Sequence, residues 1–269
     1  MKPVVILQHE AGVSAGHFAS WLDARSIPYR IINIHLGDSV PASPEPFSGI
    51  CSLGGNMSVN EPLPWIADEL ALLRSAFDSG VPVIGHCLGG QLMAKALGAT
   101  VVRNEWKEMG WLPVDVVDPA LAREWLGGAP GELFHWHGDA FSLPAGARRM
   151  LATPLTPNQA YVIERGQVEH LGMQFHIEMT SALVRAWARD PEAALEVAEE
   201  RARTGGPGVQ SPEEMCRDVE QRTVTMKTFA WRLYDRWSRG LRGGAPVGSG
   251  RGPRAMGSGA MNGGTPGAG

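Results

Sequence analysis

The chain has 269 residues, 43% hydrophobic and 19% charged, with a formal net charge of −4. That length can bury a full core without staples. The lack of a basic excess argues against a general nucleic-acid binder, and no apolar run approaches the ~18 residues of a membrane span. Neither nucleic acid nor membrane is therefore an expected partner. The apolar run Val4–Leu7 is too short for a signal peptide, and Cys51, Cys87 and Cys216 are too widely spaced for a disulfide framework, so a reducing, cytoplasmic setting is expected.

Val4–Leu7 reads as a buried strand, and residues 14–25 have helical spacing through Phe18, Trp21 and Leu22. Strands are predicted at Tyr29–Ile34 and Gly49–Leu53. A helix is predicted over Leu63–Phe77, with apolar residues at Trp65, Ile66, Leu70, Leu73 and Phe77 near a 3.6 period. Val81–Gly85 is a further strand, running directly into a helix over Leu88–Leu97 that stops at Gly98. Alternation of this kind implies a parallel sheet covered on both faces.

Beyond Gly98 the pattern changes. Strands are predicted at Val114–Val117, Phe134–Trp136, Ala160–Ile163 and Val168–Phe175 with few helices between them, suggesting an antiparallel extension of the sheet. Two helices then close the domain. Asp190-Pro191-Glu192 offers a cap followed by Pro at the first helical position, and Ser211-Pro212-Glu213-Glu214 has the form of a capping box. The last helix carries Met226, Phe229, Ala230, Leu233 and Trp237 on one face, as core packing requires. From Gly240 to Gly269, twelve of thirty residues are Gly, too little apolar surface to offset the entropy of ordering. One domain over residues 1–239 and a flexible tail over 240–269 are expected.

Three stretches could carry chemistry. Gly85-His86-Cys87-Leu88-Gly89 places a cysteine at a strand-to-helix turn, the form of a nucleophile elbow. The helix from Leu88 aims its N-terminal amides at the thiol, favouring a thiolate and later an oxyanion. Alone, the motif also fits a buried cysteine in a glycine-rich turn. Gln174-Phe175-His176-Ile177-Glu178 would supply a base and its orienting carboxylate. At the end of a strand, His176 and Glu178 would face one side. Ser52-Leu53-Gly54-Gly55-Asn56 could turn backbone N–H groups into a cleft where negative charge develops, or could be an ordinary tight turn.

Together, Gly54-Gly55, Gly85-His86-Cys87-Leu88-Gly89-Gly90-Gln91 and Gln174-Phe175-His176-Ile177-Glu178 resemble, in order and spacing, the motifs of class I glutamine amidotransferases, including the glutaminase domains of GMP synthases. The resemblance covers approximately Val4 to Glu178. It implies an open, mainly parallel α/β sheet flanked by helices, flavodoxin-like, and glutaminase activity without a cofactor. Cys87 would be the nucleophile, His176 the base and then acid, and Glu178 the residue orienting His176. Gly55 and Leu88 would provide oxyanion-hole amides, while Gly54 and Gln91 would help hold the substrate. His137, Gly138 and Asp139 resemble a His-Gly-Asp segment that lines the substrate cleft of GMP synthase glutaminase domains. The family commonly has Pro where Ile177 and Asn56 stand here, which points to a divergent, stand-alone branch.

His135-Trp136-His137-Gly138-Asp139 also resembles the first metal-ligand motif of metallo-β-lactamase-type hydrolases. That pattern continues with His where this chain has Ala140, and its fold does not suit a cysteine elbow, so no metal is expected. His135 and Cys51 read as packed residues, Cys216 carries no assignment, and Trp106 and Trp111 flank a loop that could border the cleft, with core or interface packing the favoured role of the two rings. Three functions follow: an amidotransferase subunit passing ammonia from glutamine to a separate synthetase subunit, a γ-glutamyl hydrolase acting on γ-glutamyl compounds, or a non-catalytic binding protein. The intact Cys87, His176 and Glu178 set argues against the last.

Overall fold

The computed structural model describes residues 1–243. Its first half is built on β1 (Val4–Gln8), α1 (Gly16–Ala24), β2 (Tyr29–Asn33), β3 (Gly49–Ser52), α2 (Pro64–Ser79), β4 (Val83–His86) and α3 (Leu88–Ala96). The second half comprises β5 (Val101–Pro113), β6 (Asp115–Val116), α4 (Pro119–Leu126), β7 (Glu132–Phe141), β8 (Arg148–Ala152), β9 (Ala160–Arg165) and β10 (Val168–Met173). Four helices follow: α5 (Ser181–Arg189), α6 (Pro191–Thr204), α7 (Pro212–Cys216) and α8 (Val219–Trp237).

Eight strands form one sheet in the order β2-β1-β3-β4-β10-β9-β8-β6. The five from β2 to β10 are parallel neighbours, whereas β10, β9, β8 and β6 pair antiparallel. All five residues of β1 are buried, as expected for a central strand covered on both faces. Its side chains alternate between two cores. Val4 and Ile6 join Phe18 and Trp21 of α1 and Leu233 and Trp237 of α8, while Val5 and Leu7 join Leu73 and Phe77 of α2 and Leu92 of α3.

The sequence-based elements correspond closely up to α3 and less well beyond it. The segment read as a loop around Trp106 to Trp111 belongs to the 13-residue strand β5, which pairs antiparallel with β7 in a separate two-stranded sheet. Phe134–Trp136 therefore extends that small sheet and not the main one. Register breaks between Arg103 and Glu108, which hides the strand from any period-2 reading. The two closing helices are four. Asp190 caps α6 and Ser211 with Glu214 forms the anticipated capping box on α7, but α5, capped by Thr180, was not anticipated. Asp118 caps α4 before Pro119, the same signal as Asp190-Pro191.

At the C-terminal end, Leu241 is buried in the core beside Trp237, so packed structure continues past the expected boundary at 239. The remainder of the expected tail, residues 244–269, lies outside the described residues. Among the described residues, no helix is long and apolar enough to cross a membrane.

Candidate active site

The ends of β3, β4 and β10 lie side by side at the carboxyl edge of the parallel sheet, where ligands of open α/β folds bind. Cys87 follows β4 and caps α3 with φ 49° and ψ −107°, a strained left-handed conformation for a residue with a side chain. Strain of this kind persists only when the surroundings enforce it. Here the enforcing contact is close packing of α3 under the sheet: a Cβ on Gly90 would stand 2.2 Å from the carbonyl oxygen of Met173 in β10. Cys87 is only 5% exposed, yet it borders a cleft of about 170 Å³. Its Sγ lies 3.6 Å from the Trp136 carbonyl oxygen and 3.7 Å from Gln174 Nε2.

His176 and Glu178 are buried beside it, in the turn just after β10. The two meet through that turn, and not through the strand alternation expected from sequence. His176 Nδ1 and Glu178 Oε1 are 2.7 Å apart. Burial alone would depress the imidazole, but the Glu178 carboxylate and the Cys87 sulfur outweigh it and raise His176 to about 10. Burial conversely opposes ionisation of Glu178, and the facing His176 and His86 reverse that and lower it. Glu178 Oε2 accepts no hydrogen bond and lies 3.9 Å from Nε2 of the buried His86, which in turn reaches the Tyr234 hydroxyl at 3.3 Å.

The Gly54-Gly55 turn follows β3. A Cβ on Gly54 would stand 2.7 Å from His176 Cε1, so only glycine lets the ring approach. Gly55 lines the cleft next to Leu88, the first residue of α3. The turn is braced by residues not singled out from sequence. His9 holds the Leu53 carbonyl through Nδ1 (3.1 Å) and Glu69 through Nε2 (2.8 Å), and Ser52 Oγ donates to the other Glu69 oxygen at 2.6 Å. Glu69 occupies the apolar stripe of α2 between Ile66 and Leu70, and a carboxylate at such a position is the signal that could have found it. Burial tends to lower His9, but Glu69 raises it overall.

Gln91, His137, Gly138 and Asp139 line the same cleft as Cys87 and Gly55, whereas Gly54, Leu88, His176 and Glu178 are not part of its lining. Gln91 Nε2 donates to the Asp139 carbonyl at 3.2 Å, and Asp139 accepts from Ser58 Oγ at 2.8 Å. Lys107 and Glu196, absent from the sequence-based set, form an ion pair at the rim, and Trp136 Nε1 donates to the same carboxylate. Beneath this wall, Glu108, His135 and His137 converge with all three buried. Burial depresses His135 to about 3, whereas Glu108 is held near 2 against burial by His137, His135 and Thr153.

A sequence model described as glutamine amidotransferase class-I matches residues 25–186. The chain belongs to this family. It is 28% identical over 234 residues to the glutamine amidotransferase-like protein YfeJ of Salmonella typhimurium, covering 84% of this chain and 93% of that one. It is 38% identical over 135 residues to a glutamine-hydrolysing GMP synthase of Neisseria meningitidis serogroup C; that match takes in 49% of this chain and only 24% of the synthase. A solved glutamine amidotransferase from Methylobacillus flagellatus superposes with TM-score 0.83 at 38% identity, covering 93% of this chain and all of the other. A second, from Thermotoga maritima, gives TM-score 0.73 at 25% identity, covering 88% and 97% of the two chains. These relatives agree with the mainly parallel sheet flanked by helices.

Proposed function

We propose that the protein hydrolyses the side-chain amide of glutamine through Cys87, His176 and Glu178, releasing ammonia for a separate synthetase subunit. The observation that carries this reading is a cysteine sulfur bordering a cleft at the end of β4, with the neighbouring strand β10 leading into an imidazole whose Nδ1 is 2.7 Å from a buried carboxylate. In this mechanism the Cys87 sulfur, as thiolate, attacks the carboxamide carbon. The backbone amides of Gly55 and Leu88 receive the oxyanion, each worth about 3 kcal/mol on the precedent of single oxyanion donors. Imidazolium His176 protonates the departing amine, leaving a γ-glutamyl thioester. The neutral imidazole then takes a proton from water, the hydroxide adds to the thioester, and glutamate leaves as the thiolate is restored. Gln91, His137 and Asp139 border the space for the amino-acid end of the substrate, and no step requires a cofactor.

One observation favours a second reading, hydrolysis of larger γ-glutamyl compounds. A recess of about 480 Å³ shares Asn56, Trp136 and Glu196 with the thiol cleft, which gives room for a leaving amine larger than ammonia. Ammonia release from glutamine, measured beside cleavage of γ-glutamyl peptides, separates the two readings. Cys87→Ala should abolish both activities in a protein that still folds, and unchanged turnover in that variant would end the proposal.

A further inference from the structure

No bond-making or proton-transfer step of the amide chemistry runs through the cluster beneath the cleft wall, although its member His137 also borders the substrate space. We propose that Glu108, His135 and His137 form a binding site for one divalent first-row metal ion, best suited to Zn²⁺, that clamps β5 to β7. The inference is independent of the reading of Cys87.

Register creates the cluster. Glu108 on β5 stands directly opposite His137 on β7, and His135 is two residues earlier on the same strand, hence on the same face. One ligand atom from each lies within 4.8 Å of the other two. Tetrahedral zinc at 2.0–2.1 Å from N and O donors needs them about 3.3 Å apart. Glu108 Oε2 and His137 Nε2 are already 3.1 Å apart. At most about 1.5 Å of side-chain motion closes the edges to His135. Two nitrogens and one carboxylate oxygen are a zinc donor set, with a fourth position left open.

Unpaired nitrogens are the second observation. Both ring nitrogens of His135, a residue with no exposed surface, lack any hydrogen-bond partner. His137 Nε2 also lacks one: its approach to Glu108 does not have the alignment of a hydrogen bond. Orphaned nitrogens at this depth cost stability unless something binds them. The outer groups, by contrast, are in place. Thr153 Oγ donates to Glu108 Oε1 at 2.6 Å, and Gln159 Nε2 to Oε2 at 2.6 Å. His137 Nδ1 meets the Asp139 carbonyl at 3.2 Å, which can only accept, so Nδ1 is the donor of that contact and Nε2 is the nitrogen that faces the cluster. Asp139, the acid of the linear His-x-His-x-Asp pattern, is directed instead to Ser58 and Arg103. The cluster's carboxylate comes from the neighbouring strand.

The test uses the full chain, stripped with chelator, loaded with Zn²⁺ and passed through gel filtration before elemental analysis. One equivalent should be retained, and the melting temperature should rise by about 5–8 °C at a hundredfold excess over Kd and fall again with chelator. His135→Phe and the near-isosteric Glu108→Gln should each abolish retention, while Cys87→Ser should keep it. In the unmutated chain, Co²⁺ should show ligand-field bands without a thiolate charge-transfer band, which reads the donor set even if a variant fails to fold. Absence of a retained equivalent, its loss in Cys87→Ser, or a thiolate band would each overturn the site.

Discussion

Gly54→Ala tests whether the thiol and the imidazole work as a pair. The added methyl would stand 2.7 Å from His176 Cε1, where ordinary contact begins near 3.4 Å, and 3.3 Å from Val13 Cγ1. The ring must therefore retreat by about 0.7 Å, against its 2.7 Å contact with Glu178. Misplacing a catalytic group by about 1 Å can cost about 100-fold in rate, equivalent to about 2.7 kcal/mol of transition-state stabilisation. Overpacking of this size should cost about 1–3 kcal/mol of stability. The expected result is kcat/KM for glutamine reduced by about two orders of magnitude in a protein with native circular dichroism and a modestly lowered Tm. A folded Gly54→Ala variant with kcat/KM within twofold of the parent would refute the reasoning, because the base would then tolerate displacement.

Two further outcomes follow. Glu178→Gln removes the carboxylate that, with Cys87, raises His176 to about 10, so the alkaline limb of kcat/KM should move to lower pH. The linked stability has a definite sign: a raised imidazole contributes fully below about 6.5 and loses its contribution as pH rises through about 10. Tm of the parent should fall relative to Glu178→Gln over that window, and parallel curves would count against the coupling. Glu69→Ala leaves His9 and Ser52 without their shared buried partner, and loss of one member of a buried pair costs about 3–5 kcal/mol. Urea denaturation should read a loss of that order; a change under 1 kcal/mol would show that the brace behind Gly54-Gly55 does not matter.

The chain from Val4 to Ala96 was legible because each element there follows from short-range rules. Runs such as Val4–Leu7 are buried on both faces, the stripe through Ile66, Leu70, Leu73 and Phe77 has one period, and Gly-x-Cys-x-Gly marks a single kind of turn. The candidate thiol, imidazole and carboxylate could be named for the same reason, since their glycine and strand-end contexts are local. The β5 strand was lost because its break between Arg103 and Glu108 destroys the alternation that identifies strands. Thr180 and Asp118 are caps of ordinary form, but α5 and α4 behind them are held largely by distant partners, including α8.

What sequence determined by itself is thus the set of elements with local periodicity and the identity of the candidate reactive groups. Only the tertiary structure decided which groups meet. Cys87 and His176 come together because β4 and β10, far apart in the chain, are parallel neighbours. Glu69 could be recognised as a partner of His9 only once α2 was laid against β1 and β3. Glu108 meets His135 and His137 because β5 pairs with β7 and sets it directly opposite His137. Such encounters depend on packing between segments, and neither composition nor spacing within one segment carries that information.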